Sequence, residues 1–417
     1  MNIGIVTTWF ERGAAYVSRQ YRDLLKDDFK VFIYARGGEQ CAIDDPFWDN
    51  GMVTWAQKSS RPVPDPIDKN DFTQWIKSKN IEIVFFNEQL WWIPVLWCKD
   101  IGIKTGAYVD YYTEETIPLF SAYDFLICNT RRHFEAFAWH SGAHYIPWGT
   151  DTELFRPSSV SRADDGIVTF FHSAGMNPKR KGTDLVLEAF AELKGNKKLI
   201  IHSQVSIKDR LPKQLKLIDN LMNNNELSII EATVSAPGLY HLGDVYVYPT
   251  RLEGIGLTIC EAISCGLPVI VPDNPPMNEF VVDGSSGKKV AIRRLYARPD
   301  GYYWPQCEII LSSLAEQMQW YINRSDQLTD YKTQARQYAL INLDWGKNRT
   351  KVIEIFANIA PRYDYDSDLI ISYETKRSKS HWLSSIYMKS PALYGLLYCG
   401  WQIKGLLSEY TGTTKCR

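Results

Sequence analysis

Tyr248-Pro249-Thr250-Arg251-Leu252-Glu253-Gly254-Ile255-Gly256-Leu257-Thr258-Ile259-Cys260-Glu261-Ala262 runs directly into Ile263-Ser264-Cys265-Gly266-Leu267-Pro268-Val269-Ile270. An apolar β-branched run at 245–248 leads into a turn with two glycines, then a helical pattern over 256–265. Gly266 stops that helix, and a second apolar run follows at 268–271. Strand, helix and strand in this order make a βαβ unit, which requires a parallel sheet with helices on its faces.

Upstream of this unit the same alternation gives strands at 167–171, 198–202 and 227–231, with helices at 183–193 and 211–222. Further back, residues 156–166 are turn formers without apolar period, as an interdomain linker would be. Ahead of them the alternation appears once more, with strands at 3–8, 31–34, 81–86, 106–109 and 125–128. A helix carrying Ala14, Val17, Tyr21, Leu24 and Leu25 follows a Gly13 loop, and another is expected over 131–141. The expected fold is therefore α/β, with two doubly wound, Rossmann-like domains facing a cleft: 1–160, 161–345 and a helical C-terminal segment 346–417. Helices dominate from about 309 to 360.

Composition narrows the function. The 417 residues carry 47 Lys+Arg against 48 Asp+Glu, so no global positive field exists for gripping nucleic acid, and none is expected as a partner. The eight cysteines lie scattered among apolar neighbours without metal-ligand or disulfide spacing, which indicates reduced core residues. No basic segment followed by an apolar stretch opens the chain, and the compartment expected is the cytoplasm. Segment 391–407 is apolar but broken by Gln402 and Lys404. With Trp382, Tyr387, Tyr394 and Trp401 beside basic residues, the tail reads either as a peripheral contact with the inner face of the cell membrane or as aromatic packing on the first domain.

Ligands of open α/β sheets bind at the carboxyl ends of the strands. At the end of strand 245–248, Gly254 and Gly256 permit close backbone approach, and the amides at the helix start suit phosphate oxygens. Glu253 and Glu261 lie eight residues apart, so one ligand lying along this element meets both carboxylates. They read equally as a helix-dipole partner and a solvated carboxylate. Lys179-Arg180-Lys181 reads as a phosphate-binding loop or as a solvated basic turn.

The pattern Glu, seven residues, Glu, then Ala-x-x-x-Gly-x-Pro-Val-Ile resembles the signature of the retaining GT-B glycosyltransferases of family 4, the group 1 type. Residues 146–157, Ile-Pro-Trp-Gly-Thr-Asp-Thr-Glu-Leu-Phe-Arg-Pro, are similar to the end of that family's first domain, and Lys181-Gly182-Thr183-Asp184 to the start of its second. The likeness extends over about residues 1–360.

The resemblance implies a hexosyltransferase that moves a sugar from a nucleotide diphosphate sugar to a glycan or lipid-linked acceptor, in polysaccharide biosynthesis, with no metal or other cofactor. It assigns Glu253 to the donor hexose, Glu261 to the ribose hydroxyls, and Lys181 to the diphosphate. The backbone of Gly254, Ile255, Gly256, Leu257 and Thr258 then supports the donor, and Gly13 closes on the phosphates. Where the family has an Arg five residues before the Lys, Met176 stands here, and Arg180 is the substitute charge. The family's His before Asp110 is absent, which leaves Asp110 as the catalytic candidate on the acceptor side, with His172 ranked below Lys181. Asp364-Tyr365-Asp366 is read as a solvated acidic loop. An inverting enzyme, a sugar-nucleotide epimerase and a non-catalytic sugar-nucleotide binder are the alternatives.

Overall fold

A computed structural model describes residues 1–36, 42–59, 63–158 and 166–389, with side chains through 378. Two parallel sheets dominate. The first contains β1 (Asn2–Thr7), β2 (Lys30–Ala35), β3 (Val53–Trp55), β4 (Ile83–Phe86), β5 (Lys104–Tyr108), β6 (Phe125–Cys128) and β7 (Ala143–Tyr145), in the order β3-β2-β1-β4-β5-β6-β7. The second contains β8 (Val168–Gly175), β9 (Lys197–Ser203), β10 (Leu227–Glu231), β11 (Val245–Val247), β12 (Val269–Pro272) and β13 (Gly287–Val290), in the order β10-β9-β8-β11-β12-β13.

Both sheets reverse winding direction beside their first strand, between β1 and β4 and between β8 and β11. The ligand crevice of such sheets therefore opens over the loops after these four strands. Central strands are buried on both faces, as in Ile83-Val84-Phe85-Phe86, which explains their uninterrupted apolar runs. Gly4 on β1 makes room for Trp75: a Cβ there would lie 2.3 Å from the indole.

Two local expectations differ from the structure, and one hairpin was not expected. The helix expected over 131–141 stops at Ala136, because the His140 ring pairs with the carbonyl of Tyr123 at 3.1 Å and accepts from Gly142 N at 3.0 Å, turning the chain away. The helix expected over 211–222 begins as a tight turn at Pro212–Gln214 and becomes α-helical at Leu215–Asn223. Residues 292–309 form an antiparallel hairpin, β14 (Ile292–Tyr296) and β15 (Gln306–Ile309), outside both main sheets. Edge strands β3 and β7, three residues each, are too short to show a period.

After helices Leu311–Ile322 and Leu328–Asn342 the chain crosses back to the first sheet. Thr150 and Trp345 pair as neighbours through Trp345 N–H to Thr150 O at 3.0 Å, and Trp345 packs edge-on against Tyr21. Helix Arg349–Ala357 places Phe356 against Phe85 and Phe125, with ring centroids 5.4 and 5.1 Å away. In the final helix, Ser367–Lys389, Glu374 accepts from Trp92 N at 2.8 Å and Arg377 donates to Leu90 O at 2.7 Å, so this helix braces the loop after β4. No described helix is long and apolar enough to cross a membrane. Most of the tail aromatics named above, and most of the 156–166 linker, lie outside the described residues and side chains.

Candidate active site

Two turns meet at the carboxyl end of the second sheet. After β8, Asn177 caps the short helix Pro178–Lys181 by accepting from Arg180 N at 3.1 Å, and Gly182 ends it with φ of +77°. A side chain at Gly182 would sit 2.2 Å from Pro249 O, so glycine is required for this turn to lie against the end of β11. Asp184 locks the two turns together by accepting both guanidinium nitrogens of Arg251 at 2.9 Å.

This packing delivers Lys181 to Glu253. Oε1 of Glu253 receives Lys181 Nζ at 2.6 Å, Thr250 Oγ1 at 2.7 Å and Tyr248 OH at 2.9 Å, with Arg180 Nη1 at 3.3 Å. All four contacts fall on one oxygen. Burial pushes the carboxyl upward, but the Lys181 and Arg180 charges and the hydroxyl donors outweigh it and hold its pKa near 2. Burial, opposed by Glu253, pulls Lys181 down to about 8. Glu253 is therefore ionised at neutral pH, and Lys181 is cationic.

Met176, at the family's arginine position, is 70% exposed, while Arg180 donates to Leu252 O at 2.6 Å and faces Glu253. Gly254 follows, and Gly256, with φ of +93°, starts helix Leu257–Ser264 without a side-chain cap, leaving the amides of Leu257 and Thr258 at an open helix start. Ile255 is buried beneath them.

Glu261 faces a cavity of about 200 Å³ whose lining includes Tyr16, Ser173, His202, Tyr240 and Thr258. Its Oε2 accepts from Tyr240 OH at 2.5 Å, and burial raises its pKa to about 7. A carboxyl raised from 4.5 in this way binds a proton in the folded state that the unfolded chain has released, so stability falls as pH rises from about 4.5 to 7. Glu261→Gln is expected to match wild type at pH 4.5 and to exceed it by about 3 kcal/mol at pH 8. Thermal unfolding at the two pH values measures this, and an equal offset at both would exclude it.

Gly13 opens the first helix of the N-terminal sheet, and a Cβ there would lie 3.7 Å from Leu257, so the first loop meets the start of the second domain's helix across the cleft. Asp110, at the end of β5, is apart from this group. Burial, followed by the charge of Glu88, raises its carboxyl far above the usual range. Asp110 Oδ1 also accepts from Tyr111 N at 2.7 Å.

The remaining polar groups near the cleft are engaged by the protein or exposed. His172 is fully buried with Nδ1 on Val247 O at 2.7 Å and Nε2 on Thr183 Oγ1 at 2.8 Å, and burial lowers it to about 4. Glu279 accepts from the amides of Arg131 and Arg132 at 2.7 and 3.2 Å, which makes it a helix-start carboxylate across the domain boundary. Glu114 is exposed. Asp364 pairs with Arg362, and Asp366 accepts from Leu369 N at the start of the last helix.

Three groups near the cleft escaped the sequence reading. Glu88, in the left-handed region at φ of +51°, belongs to the polar run Asn87-Glu88-Gln89 directly after an apolar strand, which was the available signal. Arg132 donates to Glu253 O at 2.6 Å and Pro275 O at 2.8 Å, while the His133 ring lies 2.9 Å from Gly254 O. The hairpin 292–309 is the third.

The architecture is GT-B, two Rossmann-like domains with the C-terminal helices returned to the first. Residues 152–293 match the family model described as glycosyl transferases group 1. The chain is 26% identical over 186 residues to a GDP-mannose-dependent alpha-(1-6)-phosphatidylinositol monomannoside mannosyltransferase of Mycolicibacterium smegmatis, covering 39% of this chain and 46% of that one. It spans about half the length of the curated relatives it matches. Anabaena HepE, crystallised with UDP and glucose, shares the fold at a TM-score of 0.65 and 14% identity, over 86% of this chain and 99% of that one. A glycosyltransferase from Rickettsia africae does so at 0.67 and 15%, with the same coverage. The fold is GT-B, and the segment that matches the group 1 glycosyl transferases is residues 152–293.

Proposed function

We propose that the protein is a retaining glycosyltransferase of the family 4 type that moves a hexose from a nucleoside diphosphate sugar to a hydroxyl of a glycan or lipid-linked acceptor. The observation that carries this reading is Glu253: an ionised buried carboxylate whose Oε1 is saturated by protein donors, beside a cationic lysine and an open helix start.

Cleaving the glycosyl–phosphate bond puts charge on the diphosphate as the anomeric carbon becomes cationic. Lys181, Arg180 and the Leu257 and Thr258 amides counter that charge, and do so most strongly in the transition state. The anomeric C–O bond to phosphate breaks, the acceptor oxygen bonds to the same carbon from the same face, and its proton passes to the departing phosphate oxygen. Glu253 Oε2 orients a donor-sugar hydroxyl, and Glu261 takes the ribose hydroxyls.

Of the two bases that inverting transfer could use, Asp110 and His172, the second has both nitrogens engaged, which supports retention. The chain's own cations serve the diphosphate, so we propose metal-independent transfer. The proposed setting is polysaccharide biosynthesis in the cytoplasm, at the inner face of the membrane when the acceptor is lipid-linked. The mannosyltransferase and UDP-bound relatives make GDP-mannose and UDP-glucose the first donors to test.

Thermal shift with a nucleotide and nucleotide-sugar panel in EDTA is expected to single out one nucleotide class, with the shift lost in Glu261→Ala. NMR of the transfer product should then show the donor's anomeric configuration retained. An inverted product excludes the retaining mechanism, and loss of transfer in EDTA excludes metal independence.

A further inference from the structure

The short helix Arg131–Ala136 of the first domain bears on the turn that carries Glu253 in the second. Glu279 ties the start of this helix down by accepting from the Arg131 and Arg132 amides. Buried Arg132 then donates through Nη2 to Glu253 O at 2.6 Å and through Nη1 to Pro275 O at 2.8 Å, with its guanidinium 5.1 Å from the centre of the Trp304 ring. His133, also buried, reaches the next carbonyl along, with Nε2 2.9 Å from Gly254 O. Two consecutive peptide units of the Glu253 turn are thus held by side chains of the other domain.

The direction of these bonds is set from both ends. Trp304 Nε1, on the hairpin 292–309, can only donate, and it donates to Tyr112 OH at 2.5 Å. The hydroxyl proton of Tyr112 therefore goes to His133 Nδ1, 2.8 Å away, which leaves Nε2–H to donate to Gly254 O. Burial keeps the ring neutral, as this chain requires, by pulling its pKa down to about 3. On the same hairpin, Tyr302 OH donates to Asp110 O at 3.0 Å and steadies the stretch that leads to Tyr112. In a trans peptide unit the C=O and N–H point opposite ways, so carbonyls of Glu253 and Gly254 drawn toward the first domain aim the amides of Gly254 and Ile255 away from it. Among the described residues nothing accepts from either amide, and a Cβ on Gly254 would meet nothing within 4 Å.

We infer that Arg132 and His133 are positioning residues for transfer: through the carbonyls of Glu253 and Gly254 they hold the Gly254 and Ile255 amides on the departing diphosphate, a setting that the second domain does not supply by itself. This rests on the transferase reading above and adds two residues to it. Both side chains act through main-chain carbonyls. Amide dipoles fixed in advance act most strongly as charge develops, so their loss falls on kcat rather than on KM.

The test follows release of nucleoside diphosphate from UDP-glucose and GDP-mannose with water as the acceptor. Arg132→Lys keeps the charge but lacks the fork that spans two carbonyls, and is expected to lower kcat about tenfold, a fraction of what deleting such a donor costs, with donor KM changed less than about threefold. His133→Leu should fall about as far, whereas His133→Gln, whose amide N–H can stand where Nε2–H does, should recover to within about threefold of wild type. If the leucine variant does not fold, Arg132→Lys carries the test alone. An unchanged kcat in Arg132→Lys, a donor KM that rises as far as kcat falls, or a His133→Gln no faster than His133→Leu overturns the inference and leaves the transferase reading intact. Wild type that releases nucleotide from neither donor removes both.

Discussion

Glu253→Gln is expected to lower the transfer rate by about 10²–10³-fold while nucleoside diphosphate still binds, because the variant keeps the cations and the helix start but loses the charge that orients the donor sugar. The acid stability of the same variant gives an independent reading. In the wild type this carboxyl is depressed from 4.5 to about 2, so its ion pairs contribute stability that is fully present above pH 4.5 and lost as pH falls through 2. The expected size is about 2–3 kcal/mol, near the lower end of what breaking a buried pair costs, because Thr250 and Tyr248 still serve the amide. Denaturant titrations at pH 7 and pH 2 should show the variant weaker at the first and nearly equal at the second. An unchanged rate with the stability change present would make Glu253 a structural carboxylate only.

Lys181→Met is the second large effect. Removing the ammonium is expected to lower kcat/KM about 10²–10³-fold and to weaken nucleoside diphosphate binding, since a charge at the phosphate is lost and Glu253 retains only Arg180 as a cationic partner. In the wild type, Lys181 is depressed to about 8, so kcat/KM, which reports the free enzyme, should fall as pH rises through 8. Lys181→Arg, which cannot deprotonate in this range, should lose that alkaline limb even if its overall rate is reduced. A limb that persists in Lys181→Arg would assign the titration to another group.

The group around Glu253 was legible because its parts are local. Glu253, Gly254, Gly256 and Glu261 lie on one strand-turn-helix element, and Lys181 ends a turn whose glycine announces its sharpness. Proximity of Lys181 and Glu253 then follows from β8 and β11 being neighbours in the sheet. The group around Asp110 was not legible in the same way. Tyr302 and Asp110 are 192 residues apart, and the hairpin that joins them carries Arg293 and Arg294 on a mostly exposed strand, with neither helical nor alternating apolar pattern to reveal it. Arg132 was hidden for a similar reason: its partners are carbonyls of the other domain, and backbone carbonyls leave no mark in a sequence. Asp110 was found by its place at a strand end, but its partner Glu88 depends on β4 and β5 lying side by side.

The return of the last helices to the first sheet bears on how the chain is made. Phe85 and Phe125 stand on central strands of the N-terminal sheet, yet the ring that covers them is Phe356, and Tyr21 waits for Trp345. A ribosome emits the chain from the amino end, so these apolar faces emerge more than two hundred residues before their cover. One face of the second sheet, whose core is drawn from residues 168–321, can close on itself in the interval. On this ordering the domain synthesised second is complete first, and the first sheet passes much of its synthesis with its aromatic face open to chaperones.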